Sequence, residues 1–523
     1  MKVNPNKPGT IIFTIAAIAL LNFDISEANW YGLEHGAYQV GFKTIEQYDQ
    51  TRTYQPKLDY FGNLIEGERA RPIQICIWYP AEKTKDSPKM VYGDYNFPYP
   101  ENDEFFNHVS RLQGRETNYL YYVFQGNAGL PLDFISVEMN AVRDAPPVAG
   151  KFPLLIYCSD SQDGYADNAL LCEYLTSYGF IVATTPALGA RDVNAQLNSG
   201  DLEAQLGDKQ VLYAALKRQP DVDMDKIGVF GVGTGGLQAF LFPMRNTDID
   251  AALSMNGSFL SANNQELVKS APYFDYMNLT RPFMNIYPDD RENTDLSLVD
   301  SLRYTDRYNV KLNMTSPIPC KSYRIFASSL PEVADSISDA ELDGYRLLCK
   351  QVYGFFNARL SGDDDLIKNL AVNQDSDKIV ISYTEGSAIP PTRAEFINIV
   401  RQHSVSEAVE IYEKFKLEDP DNVLFDEATF NVLGYQLLGT GNIEGALEIF
   451  RMNTEAYPHS CNVWDSYTDG LSAAGETERA SETIRKAMEV LPSDNAANDA
   501  LKDAIREHAR RLLGDEEYRK YQQ

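Results

Sequence analysis

Across residues 152–287, short apolar runs alternate with longer segments in which apolar residues recur every third or fourth position. A short continuous apolar run fits a strand buried on both faces, whereas the wider spacing fits a helix lying on a sheet. The pattern predicts strands over 152–158, 180–185, 227–230, 249–255 and 282–287. Between them it predicts helices over 168–178, 202–217 and 237–244, the first capped by Gly179. Strands that alternate with helices imply a mainly parallel sheet covered by helices on both faces. Upstream, 37–44 and 72–79 read as antiparallel edge strands that open this sheet, and an amphipathic helix over 342–360 closes it. The stretch 83–148 is rich in Tyr, Asn, Asp and Pro and weak in periodicity, and reads as an insertion capping the sheet's functional edge.

The last quarter turns helical and repeats itself. Gly441, Ala446, Phe450 and Pro458 recur as Gly475, Ala480, Ile484 and Pro492, each shifted by 34 residues. Ala408, Tyr412, Phe415 and Pro420 carry the same internal spacing once more, and Trp464 stands where such a unit places its first large residue. Small residues let paired helices touch, and Pro ends the second helix of each unit. This segment resembles tetratricopeptide repeats, about three units from roughly residue 390, followed by a charged terminal helix over 499–513.

Composition narrows the picture only a little. At 523 residues the chain is long enough for two or three cored domains, and its formal net charge of −28 argues against nucleic acid or an anionic membrane as a main partner. Lys2 and Lys7 precede an apolar run over 11–23, too short for a confident membrane span, and Ser26-Glu27-Ala28 offers a cleavage site. The expected organisation is a signal peptide over 1–28, an α/β domain over 29–385 and a helical repeat domain over 386–523. The mature protein is then exported, periplasmic or extracellular, and not integral to a membrane; an uncleaved N-terminal anchor is the alternative. The six cysteines form no C-x-x-C pair and read as buried thiols, although export permits a disulfide. Five scattered histidines without ligand spacing leave no metal site, and no cofactor is implied.

The most telling segment is Gly231-Val232-Gly233-Thr234-Gly235, which follows the apolar run Ile227-Gly228-Val229-Phe230 and precedes a helix rich in Leu, Ala and Phe. A nucleophile elbow has this strand–turn–helix context, with glycines flanking an exposed nucleophile. Together with the runs at 152–158 and 169–180, it makes residues 35–360 resemble the α/β-hydrolase superfamily, in particular its dienelactone hydrolase and platelet-activating-factor acetylhydrolase-like members. The resemblance implies an α/β-hydrolase fold and ester or acyl-bond hydrolysis by a serine, a histidine and an acid. Gly233 stands where the serine belongs. No histidine lies between the elbow and the repeats, and His35 and His108 read as surface or loop residues. In one branch of the family the acid position falls on Asn256, and in the other on Asp289 or Asp290. The oxyanion loop is Ser159-Asp160-Ser161-Gln162-Asp163-Gly164, and it shares the pocket with Thr234. Its two aspartates place negative charge where a negative oxygen would have to form. These features point to a catalytically degenerate, exported hydrolase-like protein. It would bind a small ester- or lipid-like ligand, or a peptide or protein partner through its repeats. The alternative is a residual or atypical ester or acyl hydrolase using Thr234, Ser159 or Ser161.

Overall fold

The computed structural model describes residues 30–521 except 55–57, 59–60, 65–69, 85–86, 97–102, 124–129, 162–163, 289–293, 314–319, 335–336, 373, 403, 419 and 421–422. The leader expected over 1–28 lies outside the described residues. The chain divides into two compact units between Ser387 and Ala388.

The first unit is built on an eleven-stranded sheet. Its strands are β1 (Gln39–Thr53), β2 (Ala70–Ala81), β3 (Ala141–Arg143), β4 (Phe152–Cys158), β5 (Ile181–Thr184), β6 (Val222–Val232), β7 (Ala251–Met255), β8 (Phe283–Pro288), β9 (Arg307–Leu312), β10 (Gln374–Asp375) and β11 (Ile379–Thr384). They lie in the order β10-β11-β9-β8-β7-β6-β4-β5-β2-β1-β3. β5, β4, β6, β7, β8 and β9 form one parallel ladder. β2 is antiparallel to β5 and to β1. The chain therefore starts at one side, crosses over at β4/β5 and fills the other side in sequence, with right-handed crossovers expected for each parallel step.

Alternation along each strand explains why the sheet is covered twice. Cys76, Trp78, Leu155, Tyr157, Phe230 and Val232 point into one apolar core. Their neighbours Ile75, Ile77, Leu154, Ile156, Ile227 and Val229 point into another. Helix α4 (Ala169–Ser177) and the later helix Asp339–Ser361 pack into the first core, through residues such as Leu171, Leu175, Val352 and Phe356. Helices α5 (Ser199–Leu216) and α6 (Thr234–Arg245) pack into the second. The long closing helix is fixed at its start by a capping box between Ser338 and Glu341, and ends at Gly362 in the left-handed conformation, φ 71°.

The insertion is more regular than its composition suggests. It holds helices α1 (Tyr92–Asn96), α2 (Asp103–Val123) and α3 (Leu130–Ile135) before β3. Its root is tied to α4 by Glu173, a buried carboxylate. Glu173 accepts hydrogen bonds from the Tyr95 hydroxyl at 2.5 Å, the Asn140 amide side chain at 2.9 Å and the backbone N–H groups of Asn140 and Ala141. Burial raises the Glu173 pKa, against the lowering effect of those donors. Farther along, the Arg115 guanidinium donates to the carbonyls of Ala187 and Val193 at 2.8 and 2.7 Å, so α2 lies against the loop that leaves β5.

The second unit is all helical. Helices Glu427–Gly439 and Ile443–Ala456 are followed by Cys461–Ala473 and Thr477–Val490, so each member of the second pair starts 34 residues after its counterpart. Both turns contain a positive-φ glycine, Gly441 at 82° and Gly475 at 78°. Ala446, Phe450, Tyr467, Leu471 and Ala480 form a common core. A helix over Asp499–Leu513 follows and packs through Ile505 and Ala509.

Candidate functional site

The parallel strands end at the edge where β6 passes into α6. At that turn Gly233 has φ 57° and ψ −119°, a conformation that a residue with a Cβ adopts only under strain. Its N–H donates to the Met255 carbonyl at 3.1 Å and its own carbonyl accepts from Ser258 N–H at 2.8 Å, so β7 and the following loop hold the turn in place. Glycine at 235 allows helix and strand to close up, since a Cβ there would run into the Cys158 carbonyl. The turn is thus the sharp strand-to-helix elbow expected from its glycines.

What stands at the tip is a charged side chain from the neighbouring loop. A Cβ added to Gly233 would lie 2.9 Å from Asp160 Cγ and closer still to its Oδ2. The Asp160 carboxylate therefore occupies the space into which a nucleophile side chain would project. It accepts a hydrogen bond from the Thr234 hydroxyl at 3.0 Å and pairs with the Lys321 ammonium at 3.0 Å. The pair is mostly shielded, with side-chain exposures of 21% for Lys321 and 15% for Asp160. The lysine is placed by its neighbours: the Cys320 carbonyl accepts from the Asn168 amide at 2.8 Å, and Ser322 N–H donates to the Asp167 carbonyl at 2.8 Å. The segment after β9 is thereby fastened to the segment after β4.

This corrects one expectation. Asp160 does not present a bare negative charge to the pocket, because Lys321 neutralises it. The only sign of Lys321 in the sequence is a cation soon after the last parallel strand, 161 residues from the aspartate it pairs with.

The remaining expected residues fall into four groups. Thr234 and Ser161 are brought together: their hydroxyls are 2.7 Å apart, and the Ser161 N–H also donates to the Thr234 hydroxyl at 2.7 Å. The Ser161 hydroxyl donates on to Gln205 Oε1 at 3.3 Å, which also accepts from Gln238 at 2.5 Å. Ser159 is fully buried and its hydroxyl has no partner among the described residues. Asn256 follows β7 with φ 47°, a left-handed conformation that Asn tolerates, and it is exposed. Asp163, Asp289, Asp290 and His403 lie outside the described residues.

The histidines divide similarly. His35 is exposed, with Nδ1 2.8 Å from the carbonyl of Gly36. His108, expected at the surface, is instead buried on α2, at 7% exposure. α2 lies over the sheet edge, and a position read from a segment of weak periodicity faces inward. Two other reactive groups sit near the edge. Burial pushes the Cys158 thiol up to about 11, which leaves it unreactive at neutral pH. Lys209, on α5, is buried with its ammonium on the carbonyl and hydroxyl of Thr185, both at 2.9 Å, and burial lowers its pKa. All six cysteines are free and buried.

Comparison with known proteins bears on the same stretch. Residues 211–328 match the family model described as BAAT / acyl-CoA thioester hydrolase C terminal. That match runs through β6, the elbow, Asn256, β9 and Lys321. The first unit has an α/β-hydrolase-type fold. Its strand order, with one antiparallel strand before the crossover and the elbow after β6, agrees with that assignment. Among solved structures, a ferulic acid esterase from Streptomyces cinnamoneus is similar at 16% identity, with a TM-score of 0.41 over 62% of this chain and 91% of that one. No curated protein matches the chain.

Proposed function

We propose that this α/β-hydrolase-type chain is non-hydrolytic, and that it serves as a ligand-binding or protein-interaction scaffold. The observation that carries the reading is the Asp160 carboxylate in the space of the missing nucleophile, held there by Thr234 and Lys321. Ester hydrolysis needs a nucleophile, a base within hydrogen-bond reach and donors aimed at the developing oxyanion. At this elbow the first is absent as a side chain, and a carboxylate occupies the approach. The helical unit, read as tetratricopeptide-like repeats, would supply the surface for a peptide or protein partner. Export, with cleavage after Ala28, belongs to the same proposal and is tested by sequencing the N-terminus of the mature protein.

A second reading keeps hydrolysis of an ester, or of an acyl-CoA thioester as in the name of the matching family. It is favoured by the hydrogen-bonded row Ser161–Thr234–Asp160–Lys321, in which hydroxyls meet a carboxylate and an ammonium. Against it, the Thr234 hydroxyl already engages Ser161 and Asp160, and Ser161 and Thr234 are 5% and 8% exposed. A fluorophosphonate probe, together with p-nitrophenyl ester and acyl-CoA turnover assays, separates the two. No labelling and no turnover above the solution rate are expected. Probe labelling at Ser159, Ser161 or Thr234, with turnover that the probe abolishes, would overturn the first reading.

A further inference from the structure

Beside the elbow tip, the loop after β7 holds the chain's one Asn-Gly pair, Asn256-Gly257. An asparagine side chain is open to attack by the backbone nitrogen of the residue that follows it, and a glycine there has no side chain to hinder the approach. The attacked Cγ and that nitrogen are separated only by Cβ, Cα and the carbonyl carbon, so rotation about the bonds between them brings the two together. Asn256 is exposed, and its side-chain amide makes no hydrogen bond among the described residues. The N–H of Gly257 also has no hydrogen-bond partner among the described residues, so no acceptor holds its proton in place. The neighbouring N–H groups are held: Asn256 donates to the Ile286 carbonyl at 2.7 Å, and Ser258 to the Gly233 carbonyl at 2.8 Å.

The fold also fixes the glycine of the pair. Gly257 is buried, and an added Cβ would lie 2.4 Å from Ser254 Oγ and 2.5 Å from a ring carbon of Phe259. A side chain that would slow the attack on Asn256 is therefore excluded at 257 by packing.

We propose that Asn256 is a site of spontaneous deamidation in the folded protein. The Gly257 nitrogen gives its proton to a hydroxide ion and bonds to Asn256 Cγ. The side-chain nitrogen takes a proton from water and leaves as ammonia, which regenerates hydroxide, and a five-membered succinimide remains. Water then adds to one of the two ring carbonyls and breaks its bond to the nitrogen. Opening at Cγ gives an aspartate; opening at the main-chain carbonyl carbon gives an isoaspartate, whose backbone runs through Cβ and Cγ. Two hydrogen bonds that hold the elbow tip straddle this pair, from Gly233 N–H to Met255 and from Ser258 N–H to Gly233. Isoaspartate puts one extra carbon between them and disturbs the tip, whereas aspartate only adds a charge at an exposed position. The proposal does not depend on whether the elbow is catalytic.

The test incubates the full chain at mildly alkaline pH, folded and in urea. Peptide mapping by mass spectrometry follows the amide loss, and an isoaspartyl methyltransferase labels the isoaspartate. A site that reacted only through global unfolding would be slower in the folded chain by about 10³-fold or more. Conversion at Asn256 in the folded chain is expected within about tenfold of its rate in urea, ahead of the other asparagines, with isoaspartate among the products. Asn256→Gln, whose ring would need a further carbon, is expected to stay unmodified at 256 over the same period. The aged chain is expected to melt below Asn256→Asp, which carries the charge without the extra carbon. A folded-chain rate slower than that tenfold margin would overturn the proposal, and so would earlier conversion of another asparagine. An aged chain that melts with Asn256→Asp would overturn the effect on the tip.

Discussion

Putting a side chain back at the elbow tip is the most searching perturbation. In Gly233→Ser two costs are separable. The first is conformational: φ 57° with ψ −119° strains any residue with a Cβ, by about 1–3 kcal/mol. The second is steric and electrostatic. The new Cβ would lie 2.9 Å from Asp160 Cγ, so the carboxylate must leave. Its departure breaks the hydrogen bond from Thr234, about 1.5–3 kcal/mol for a charged acceptor, and a partly exposed ion pair with Lys321 that contributes roughly 0–1 kcal/mol. With partial relaxation, the total is about 2–5 kcal/mol. In an Asp160→Ala background the second cost is already removed, and the same serine should cost only about 1–3 kcal/mol. A double-mutant cycle by urea unfolding therefore predicts a coupling of about 1–3 kcal/mol between positions 160 and 233. Equal costs in both backgrounds would refute the placement of Asp160 in the nucleophile's space. A serine tolerated within about 0.5 kcal/mol in either background would refute the strained tip. Ester turnover should stay at the solution rate in both serine variants. Strong rescue would mean that a base lies within reach of the tip, and Lys321 would be the first residue to replace.

Three further outcomes follow from the packing. Glu173→Ala strands the Asn140 and Ala141 N–H groups and the Tyr95 hydroxyl, so unfolding by urea should show a loss of about 3–5 kcal/mol; a loss under about 1 kcal/mol would mean that the root of the insertion is held elsewhere. Ala446→Leu overfills the core shared with Phe450, Tyr467, Leu471 and Ala480 and should cost about 1–3 kcal/mol; an unchanged melting temperature would refute the helix register. His508 has Nδ1 2.7 Å from Asp465, and that hydrogen bond raises its pKa above the usual 6.5. The stabilisation is complete below 6.5 and is lost as pH rises through the raised value. NMR titration should show the elevated pKa in the parent chain and its fall in Asp465→Asn; identical curves would refute the link.

Much of the sheet could be read from the sequence because its central strands are buried on both faces. Strand 152–158 was legible to the residue, and 227–230 marks the buried end of β6, whose earlier residues are partly exposed. β9 and β11 were not anticipated. Along β9, Arg307, Asn309 and Lys311 alternate with the buried Tyr308, Val310 and Leu312, so no apolar run exists to flag it. The elbow was legible because its glycines meet a local steric demand. The occupant of its tip was not, because Asp160 and Lys321 are 161 residues apart and the sequence does not show that they meet. His108 was misplaced for a related reason: the buried side of α2 mixes His108, Ser110 and Glu116 with Phe105, Val109 and Leu112, so no clean apolar period marks it.

The Asp160 carboxylate at the tip also orders the substitutions open to this chain. Any side chain at 233 collides with the Asp160 carboxylate as it stands, so a serine there must push the aspartate aside. Replacing the aspartate first leaves a mostly shielded ammonium at Lys321 without this partner. Each first step is uphill on its own, and only the two together reopen the space. On the non-hydrolytic reading proposed above, the turn works as a ratchet: with glycine at 233 the neighbouring carboxylate fills the tip, and it bars entry of a side chain by any single substitution.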